Sequence, residues 1–236
     1  VVGDNTFNIY ALYHKTDGWN WTISGGLDGA EANRDAGHGD TIDGLQMIVA
    51  VRTTDGGGSI ALYDQAGLLK DPGSFIVPNA NRQYIVGRNG SSEPQQFEGL
   101  MAEVVAFQAN LNTAQRNLVE NYLCSEFDMT LTGRDFYAGD TAGNGDYDFD
   151  VFGIGRLSSS DEVTAAGLEG LGIAAPWGLS DNQWTLAGHK VTNNVFVSLE
   201  GQNAASLRWA RVWYIDVTGI IDVRLSFGFR DAGLPQ

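Results

Sequence analysis

FEGLMAEVVAFQANLNTAQRNLVENYLCSEF, residues 97–127, joins an apolar segment directly to an amphipathic helix. Leu100–Phe107 is rich in apolar and β-branched residues, which predicts a buried sheet strand. Asn112 and Gln115 form an Asn-x-x-Gln relative of the capping box, which predicts that a helix begins after Asn112. Apolar residues recur at helical spacing and predict that one helix face docks on a sheet: Leu118, Val119, Tyr122, Leu123 and Phe127.

This strand and helix resemble the end of bacterial laminin-G-like domains, members of the concanavalin A-like lectin and glucanase fold. The likeness lies in the Ala-Glu-Val of the strand and in the spacing of Ala114, Arg116, Val119 and Glu120 in the helix. Three upstream segments are similar to the preceding strands of that family: Leu45–Arg52, Ser59–Tyr63 and Tyr84–Arg88.

Two downstream segments, Asp148–Arg156 and Leu207–Trp213, are similar to signatures of a β-rich domain of unknown function. That domain commonly follows the laminin-G-like one in large secreted or surface proteins of bacteria. The resemblance covers most of the chain and implies an all-β fold. Residues 1–130 would form a concanavalin A-like jelly-roll sandwich with one C-terminal helix, and residues 131–236 a second, smaller β-sandwich.

The second domain is expected to have strands near residues 148–154, 183–187, 195–199, 207–217 and 221–229. Pro176 and the Gly/Ala-rich stretch 164–180 predict an irregular excursion between them. Gly153–Arg156 is interpreted as a turn, because it lacks the lysine and the helix start of a phosphate loop.

Composition limits the partners and the location. The chain has 236 residues and a net charge of −15, which argues against nucleic acids and anionic membrane surfaces as partners. There is no run of 18 apolar residues, so membrane insertion is not expected. Cys124 is the only cysteine and is interpreted as a small buried hydrophobe. Together with the resemblance, these features predict a secreted, cell-surface or other extracellular protein.

The laminin-G-like resemblance also implies strands that precede the position of Val1. Three explanations stay open: an artificial boundary of the chain, proteolytic removal, or completion of the sandwich by a strand from a neighbouring copy. The last would be a head-to-tail contact that propagates into a filament. It makes neighbouring copies, or adjacent domains of a longer chain, the expected partners.

An acidic, glycine-containing stretch predicts a calcium site. Carboxylate and amide oxygens are hard ligands, and Asp146, Asp148 and Asp150 alternate, so on an extended strand they would share one face. The alternative is a solvated acidic linker in which the alternation is incidental. The candidate ligands are Asp140, Asn144, Asp146, Asp148 and Asp150.

The same Asp-x-Asp-x-Asp run invites a glycosidase interpretation. A retaining glycosidase needs two carboxyl groups about 5 to 5.5 Å apart, one of them with a raised pKa. The glucanases of this fold use Glu at both ends of the pattern, whereas this run is all Asp and lies outside the laminin-G-like part. The chain is therefore not expected to be an enzyme.

A tryptophan beside a turn is the candidate for ligand contact. Asp17-Gly18 predicts a hairpin, and Trp19 follows it directly. Trp19, Asn20 and Trp21, with the polar loop Gly25 to Asp43, are the candidate glycan-binding residues. Trp209 and Trp213 are interpreted as core or inter-domain packing.

The sequence is compatible with three functions. The first is a non-catalytic structural or adhesive module of the bacterial surface that assembles by strand completion. The second is a carbohydrate-binding module, and the third, which rests on the Asp run alone, is a glycoside hydrolase. The fold by itself does not choose among them.

Overall fold

The computed structural model describes residues 2–3, 11–15, 20–25, 32–37, 47–52, 59–64, 67–74, 85–86, 100–107, 111–190, 196–198 and 207–228. The chain separates into two compact units, Val1–Asn110 and Leu111–Gln236. Both are built from antiparallel sheets, and the described part contains one helix, so the all-β class is confirmed. That helix is too short and polar to cross a membrane.

The first unit contains eight strands within its described residues, arranged in two antiparallel sheets. The strands are β1 (Val2–Gly3), β2 (Ala11–Lys15), β3 (Asn20–Gly25), β4 (Ala32–Gly37), β5 (Ile48–Arg52), β6 (Ser59–Asp64), β7 (Gly67–Ser74) and β8 (Ile85–Val86). One sheet has the order β4-β3-β2-β1-β8, and the other has the order β5-β6-β7. The three strands that the sequence predicted upstream of the helix coincide with β5, β6 and β8.

The hairpin predicted at Asp17-Gly18 agrees with the pairing of β2 and β3. These strands are antiparallel, and Lys15 lies opposite Asn20. The turn itself lies outside the described residues.

The strand predicted over Leu100–Phe107 is wrong. These eight residues form no strand, and all of them are exposed. Leu100 has 95% of its surface exposed and Val104 has 53%. The residues have strand propensity, but that propensity yields a buried strand only where a neighbouring strand and a core are present.

The second unit begins with the helix and continues as strands. The elements are α1 (Thr113–Glu126), β9 (Phe149–Ser158), β10 (Asp161–Val163), β11 (Ala165–Leu168), β12 (Leu171–Ala174), β13 (Gln183–His189), β14 (Phe196–Ser198), β15 (Leu207–Trp209), β16 (Trp213–Thr218) and β17 (Arg224–Phe227). Their sheets have the orders β10-β9-β13-β16, β11-β12-β17 and β14-β15.

The start of the helix is as the sequence predicts. The Asn112 side chain accepts a hydrogen bond from the Gln115 N–H at 2.7 Å, and the Gln115 side chain accepts one from the Asn112 N–H at 3.0 Å. Asp161 adds a longer-range cap, because its carboxylate accepts from the N–H groups of Thr113 and Ala114. These bonds satisfy N–H groups that have no partner within the helix.

The helix belongs to the second unit. It packs on β9 and β10, whereas the sequence placed it at the end of a domain spanning residues 1–130. The division of the chain falls between Asn110 and Leu111, ahead of the helix. One reason that the helix belongs to the second unit is that Asp161 of β10 caps its N-terminus.

The buried face of the helix is more polar than predicted. Leu118, Val119, Tyr122, Leu123 and Phe127 are only partly buried. The fully buried residues are Ala114, Asn117, Glu120, Asn121, Cys124 and Ser125. Glu120 has no exposed surface and lies between Arg116, 3.2 Å away, and Arg134, 2.8 Å away. A buried carboxylate needs such partners, so this helix face serves as a polar contact for the loop that follows it.

The sheet β10-β9-β13-β16 forms the middle layer of the unit. On one face, Ile154 and Ala187 pack with Leu171 and Ile173 of β12. On the other face, the packing is with the helix and the loop after it: Val151, Trp184 and Leu186 with Ala114 and Tyr137. The irregular excursion predicted over 164–180 is therefore wrong for residues 165–174, where β11 and β12 lie and β12 supplies core residues. It is confirmed for residues 175–180, which contain no strand or helix.

The segment predicted as a turn, Gly153–Arg156, instead lies within β9. Gly155 is directly opposite Trp184 of β13, and a Cβ on Gly155 would overlap the indole ring. The ring stacks on Phe136 with 4.1 Å between the ring centroids. The glycine therefore provides space for a large aromatic side chain in the next strand.

We expect Gly155→Ala to lower the free energy of unfolding of the second unit by about 1–3 kcal/mol, because the added methyl group must displace a packed ring. The matched control is Gly143→Ala, since a Cβ at Gly143 meets nothing within 4 Å. Urea unfolding followed by tryptophan fluorescence measures both. Equal stabilities of the two variants would contradict the packing role of Gly155.

Candidate functional site

The acidic loop, defined as residues 135–150, is attached to the helix by side chains that bind its backbone. Asn121 accepts a hydrogen bond from the Phe136 N–H and donates to the Arg134 carbonyl, both at 2.8 Å. Further along, the Tyr137 hydroxyl donates to the Tyr147 carbonyl at 2.8 Å. The loop is therefore a built part of the fold, and its carboxylates have defined positions.

Asp140 lies in this loop close to the helix. The Ser125 hydroxyl donates to its carboxylate at 3.2 Å. Burial, followed by the charge of Asp135 and to a smaller extent that of Asp148, raises the pKa of Asp140 to about 6 although the Ser125 hydrogen bond lowers it. Asp140 therefore carries its charge at neutral pH in surroundings that disfavour it.

Asp148 also lies in surroundings that disfavour its charged form. Burial raises its pKa, and so do the charges of Asp146 and Asp128. Its Oδ1 atom is buried and has no hydrogen-bond partner within the described residues. The carboxylates of the loop thus repel one another across partly buried space.

The predicted alternation of the aspartates along an extended strand is wrong. Asp146 and Asp150 both have left-handed backbones, with φ angles of 55° and 52°. A left-handed residue interrupts the alternation of an extended strand, so the three aspartates do not share one strand face. Asn144 is turned to the loop itself, because its side chain donates to the Ala138 carbonyl at 2.6 Å.

Asp150 belongs to a β-bulge. Ala187 pairs with Phe152 and His189 pairs with Phe149, so two steps along β13 match three steps along β9. The extra residue turns the Asp150 carboxylate to the His189 ring, with 2.6 Å between Oδ2 and Nε2. His189 is buried and its ring stacks on Phe149. Asp150 is therefore engaged away from the other aspartates.

The five candidate calcium ligands are not gathered into one cluster. Within the part of the chain that the structure describes, no group of three or more His, Cys, Asp or Glu side chains is placed to hold a metal ion. Asp140 and Asp148 influence each other electrostatically, whereas Asp150 pairs with His189 and Asn144 bonds to the backbone. Calcium binding stays a prediction.

The candidate glycan-binding residues are only partly described. Trp19 lies outside the described residues, whereas the backbones of Asn20 and Trp21 open β3, opposite Gly37 and Ala36 of β4. Among the tryptophans whose surfaces are described, Trp177 is 77% exposed and stands out. Its sequence signal is the turn-forming Pro176 directly before it, because a turn favours exposure of its residues.

The predicted continuous strand over 207–217 is interrupted between β15 and β16. Trp209 and Trp213 nevertheless pack together, with 6.0 Å between ring centroids, and the Arg211 guanidinium lies about as far from each ring. Trp213 also packs against the core on the β12 side of the middle sheet. The packing interpretation of Trp213 is therefore confirmed.

Cys124 is buried and free, as predicted. Burial, with the nearby charge of Glu120 as the next cause, raises the pKa of its thiol to about 12. The thiol therefore stays protonated at physiological pH, where it is a poor nucleophile.

Comparison of the chain with protein-family models, with curated proteins and with solved structures gives no match. The resemblance to laminin-G-like domains therefore rests on the quoted residues alone.

We expect Asp140→Asn to stabilise the protein at pH 7.5 by about 1–2 kcal/mol and to have little effect at pH 4. The folded-state pKa of Asp140 lies above its ordinary value, so the carboxyl group destabilises the fold increasingly as the pH rises from about 4 through 6. Asparagine has no charge and keeps an acceptor for Ser125. Urea unfolding at the two pH values measures the difference.

Asp222→Asn is the control, since Asp222 is exposed and lies outside the acidic loop. A stability gain for Asp140→Asn of the same size at pH 4 and pH 7.5 would contradict the view that burial and neighbouring charges disfavour the ionised carboxylate.

Proposed function

We propose that this chain is a non-catalytic structural module of the bacterial exterior, which assembles with neighbouring copies by strand completion. The observation that carries the proposal is the exposed apolar segment Leu100–Phe107, called here the exposed segment. Its exposed large side chains are Leu100, Met101, Val104, Val105 and Phe107.

Such a segment is costly to leave in water. Fully burying a Val, Leu, Met or Phe side chain contributes about 1.5–3 kcal/mol, and the exposed segment has five such side chains. Contiguous apolar surface of this kind marks an interaction site. The segment has the length of an average strand or slightly more, and β-branched residues suit it to pairing with a sheet edge.

The strongly negative net charge of the chain is compatible with assembly through one defined contact. The net charge of −15 makes copies repel one another at long range, which opposes non-specific association. Salt at about 0.15 M reduces the reach of that repulsion to about 8 Å, so a short-range apolar contact becomes decisive. This supports assembly in an ionic exterior medium.

Glycan binding is the second candidate function. Trp177 favours it, because a tryptophan with 77% of its surface exposed offers a flat apolar face for a sugar ring. If the chain is monomeric in solution, glycan binding is favoured over assembly as its function.

Calcium is a proposed cofactor of the acidic loop, supported by the burial and the neighbouring carboxylate charges that raise the pKa values of Asp140 and Asp148. We expect millimolar calcium to raise the melting temperature, because a bound cation stabilises the folded state. The calcium-dependent increment should vanish in Asp146→Asn and Asp148→Asn. A melt that is identical in EDTA and in calcium would contradict the proposal.

We expect residues 1–236 to form open-ended oligomers at 0.15 M salt, and Val104→Glu to return them to single copies by placing a charge in the apolar contact. Val212→Glu is the control, since Val212 is similarly exposed, at 48%, and lies in the second unit between β15 and β16. Light scattering on a sizing column measures the mass. A wild-type chain that stays monomeric at all concentrations would contradict the assembly function.

A further inference from the structure

The second unit offers a sheet edge that matches the exposed segment. In the sheet β11-β12-β17, strand β17 lies at the edge and pairs only with β12 among the described strands. All four of its residues, Arg224–Phe227, are exposed. Within the described part of the chain, one side of the β17 backbone therefore has no strand paired to it.

The face of β17 that adjoins the core is apolar and incompletely covered. Phe227 lies opposite Leu171, and Leu225 lies opposite Ile173. Directly paired residues point to the same face of a sheet, so all four side chains share the core side. Leu171 and Ile173 are each 1% exposed, whereas Leu225 is 39% and Phe227 55% exposed. The apolar face thus ends at β17, where Leu225 and Phe227 stay partly exposed although Trp209 contacts the Phe227 ring.

The opposite face of β17 is polar. Arg224 lies opposite Ala174, and Ser226 lies opposite Gly172. A strand that extends this sheet should therefore be apolar at alternate positions on the core side, and it should complement an arginine on the outer side.

The exposed segment meets both requirements, although apolar side chains lie on both of its faces. In an extended conformation its residues separate into two faces. One face consists of Leu100, Ala102, Val104 and Ala106, which are all apolar. The other face carries Glu103, the only charged residue of the segment, together with Met101, Val105 and Phe107. With the apolar face on Leu225 and Phe227, Glu103 comes to the same side of the sheet as Arg224.

Strand β17 also differs in charge from the other sheet-edge strands whose side chains the structure describes. The edge strand β10 carries Asp161 and Glu162, and the edge strand β16 carries Asp216. Each would place a carboxylate near Glu103. Strand β11 has no charged residue, whereas β17 carries Arg224. Opposite charges across a strand pair stabilise it and like charges destabilise it.

We infer that the exposed segment of one copy adds to β17 of a second copy, as a fourth strand of the sheet β11-β12-β17. This rests on the proposed assembly function and names its two contact surfaces. Donor and acceptor are different surfaces, so the contact is head-to-tail, and each added copy leaves one donor and one acceptor exposed at the ends. The assembly is an open chain of copies.

Mixing two defective variants tests this assignment. Val104→Glu removes the donor and keeps the acceptor, whereas Leu225→Glu removes the acceptor and keeps the donor. Each variant alone should be monomeric in light scattering. An equimolar mixture should show a twofold mass, that of a dimer, because one intact donor meets one intact acceptor and no further copy can add.

Controls separate folding from assembly. Both substituted positions are at least 39% exposed, so circular dichroism melts should match those of the wild-type chain. Leu225→Ser provides a smaller change at the same position and should weaken assembly without adding charge. Val212→Glu should assemble as the wild-type chain does, and its mixture with Val104→Glu should still contain open-ended oligomers.

The possible outcomes distinguish a wrong acceptor strand from a wrong assembly function. Normal oligomers of folded Leu225→Glu, or a mixture of the two defective variants that stays monomeric, would overturn β17 as the acceptor while the assembly function stands. A wild-type chain that is monomeric at every concentration would overturn both, including the case in which the segment docks within its own chain.

Discussion

Strand β13 is buried on both faces, and the rest of the second unit is arranged around it. Trp184 and Leu186 contact the layer that contains the helix, whereas Ala187 packs toward β12. A strand covered on both sides requires a layer above and a layer below it, and it leaves little space for side chains in the strand beside it. Gly153 and Gly155 of β9 meet that second requirement, since a Cβ at either position would overlap β13.

The helix layer is held by polar contacts as well as by apolar burial. Glu120 between two arginines, and Asn121 bonded to the backbone on either side of Asp135, attach the chain that follows the helix. These contacts also hold the acidic loop near the protein surface with several carboxylates close together. The loop is therefore defined in position and electrostatically unfavourable at neutral pH. Protonation or a bound cation would each reduce the repulsion between these carboxylates.

Two exposed apolar features give the proposed function its physical basis. The exposed segment has strand propensity without a strand partner, and β17 has a sheet edge without a neighbour among the described strands. Natural sheet proteins usually protect such edges by charge, by twisting or by covering them. The exposure of both features is explained if the exposed segment of one copy pairs with β17 of a second copy. In that contact, apolar burial and the pairing of Glu103 with Arg224 would act together.

The sequence by itself determined the features that depend on neighbouring residues. Asn112 and Gln115 define the helix start through bonds three residues apart, and Asp17-Gly18 predicts a hairpin that agrees with the pairing of β2 and β3. Only the tertiary structure decided that Glu120 and Asn121 face inward, that Asp150 turns to His189 through a bulge, and that Leu100–Phe107 stays exposed. Local signals act through the backbone within a few residues. Burial depends on which distant segment lies opposite, and the periodicity of a segment contains no information about that partner.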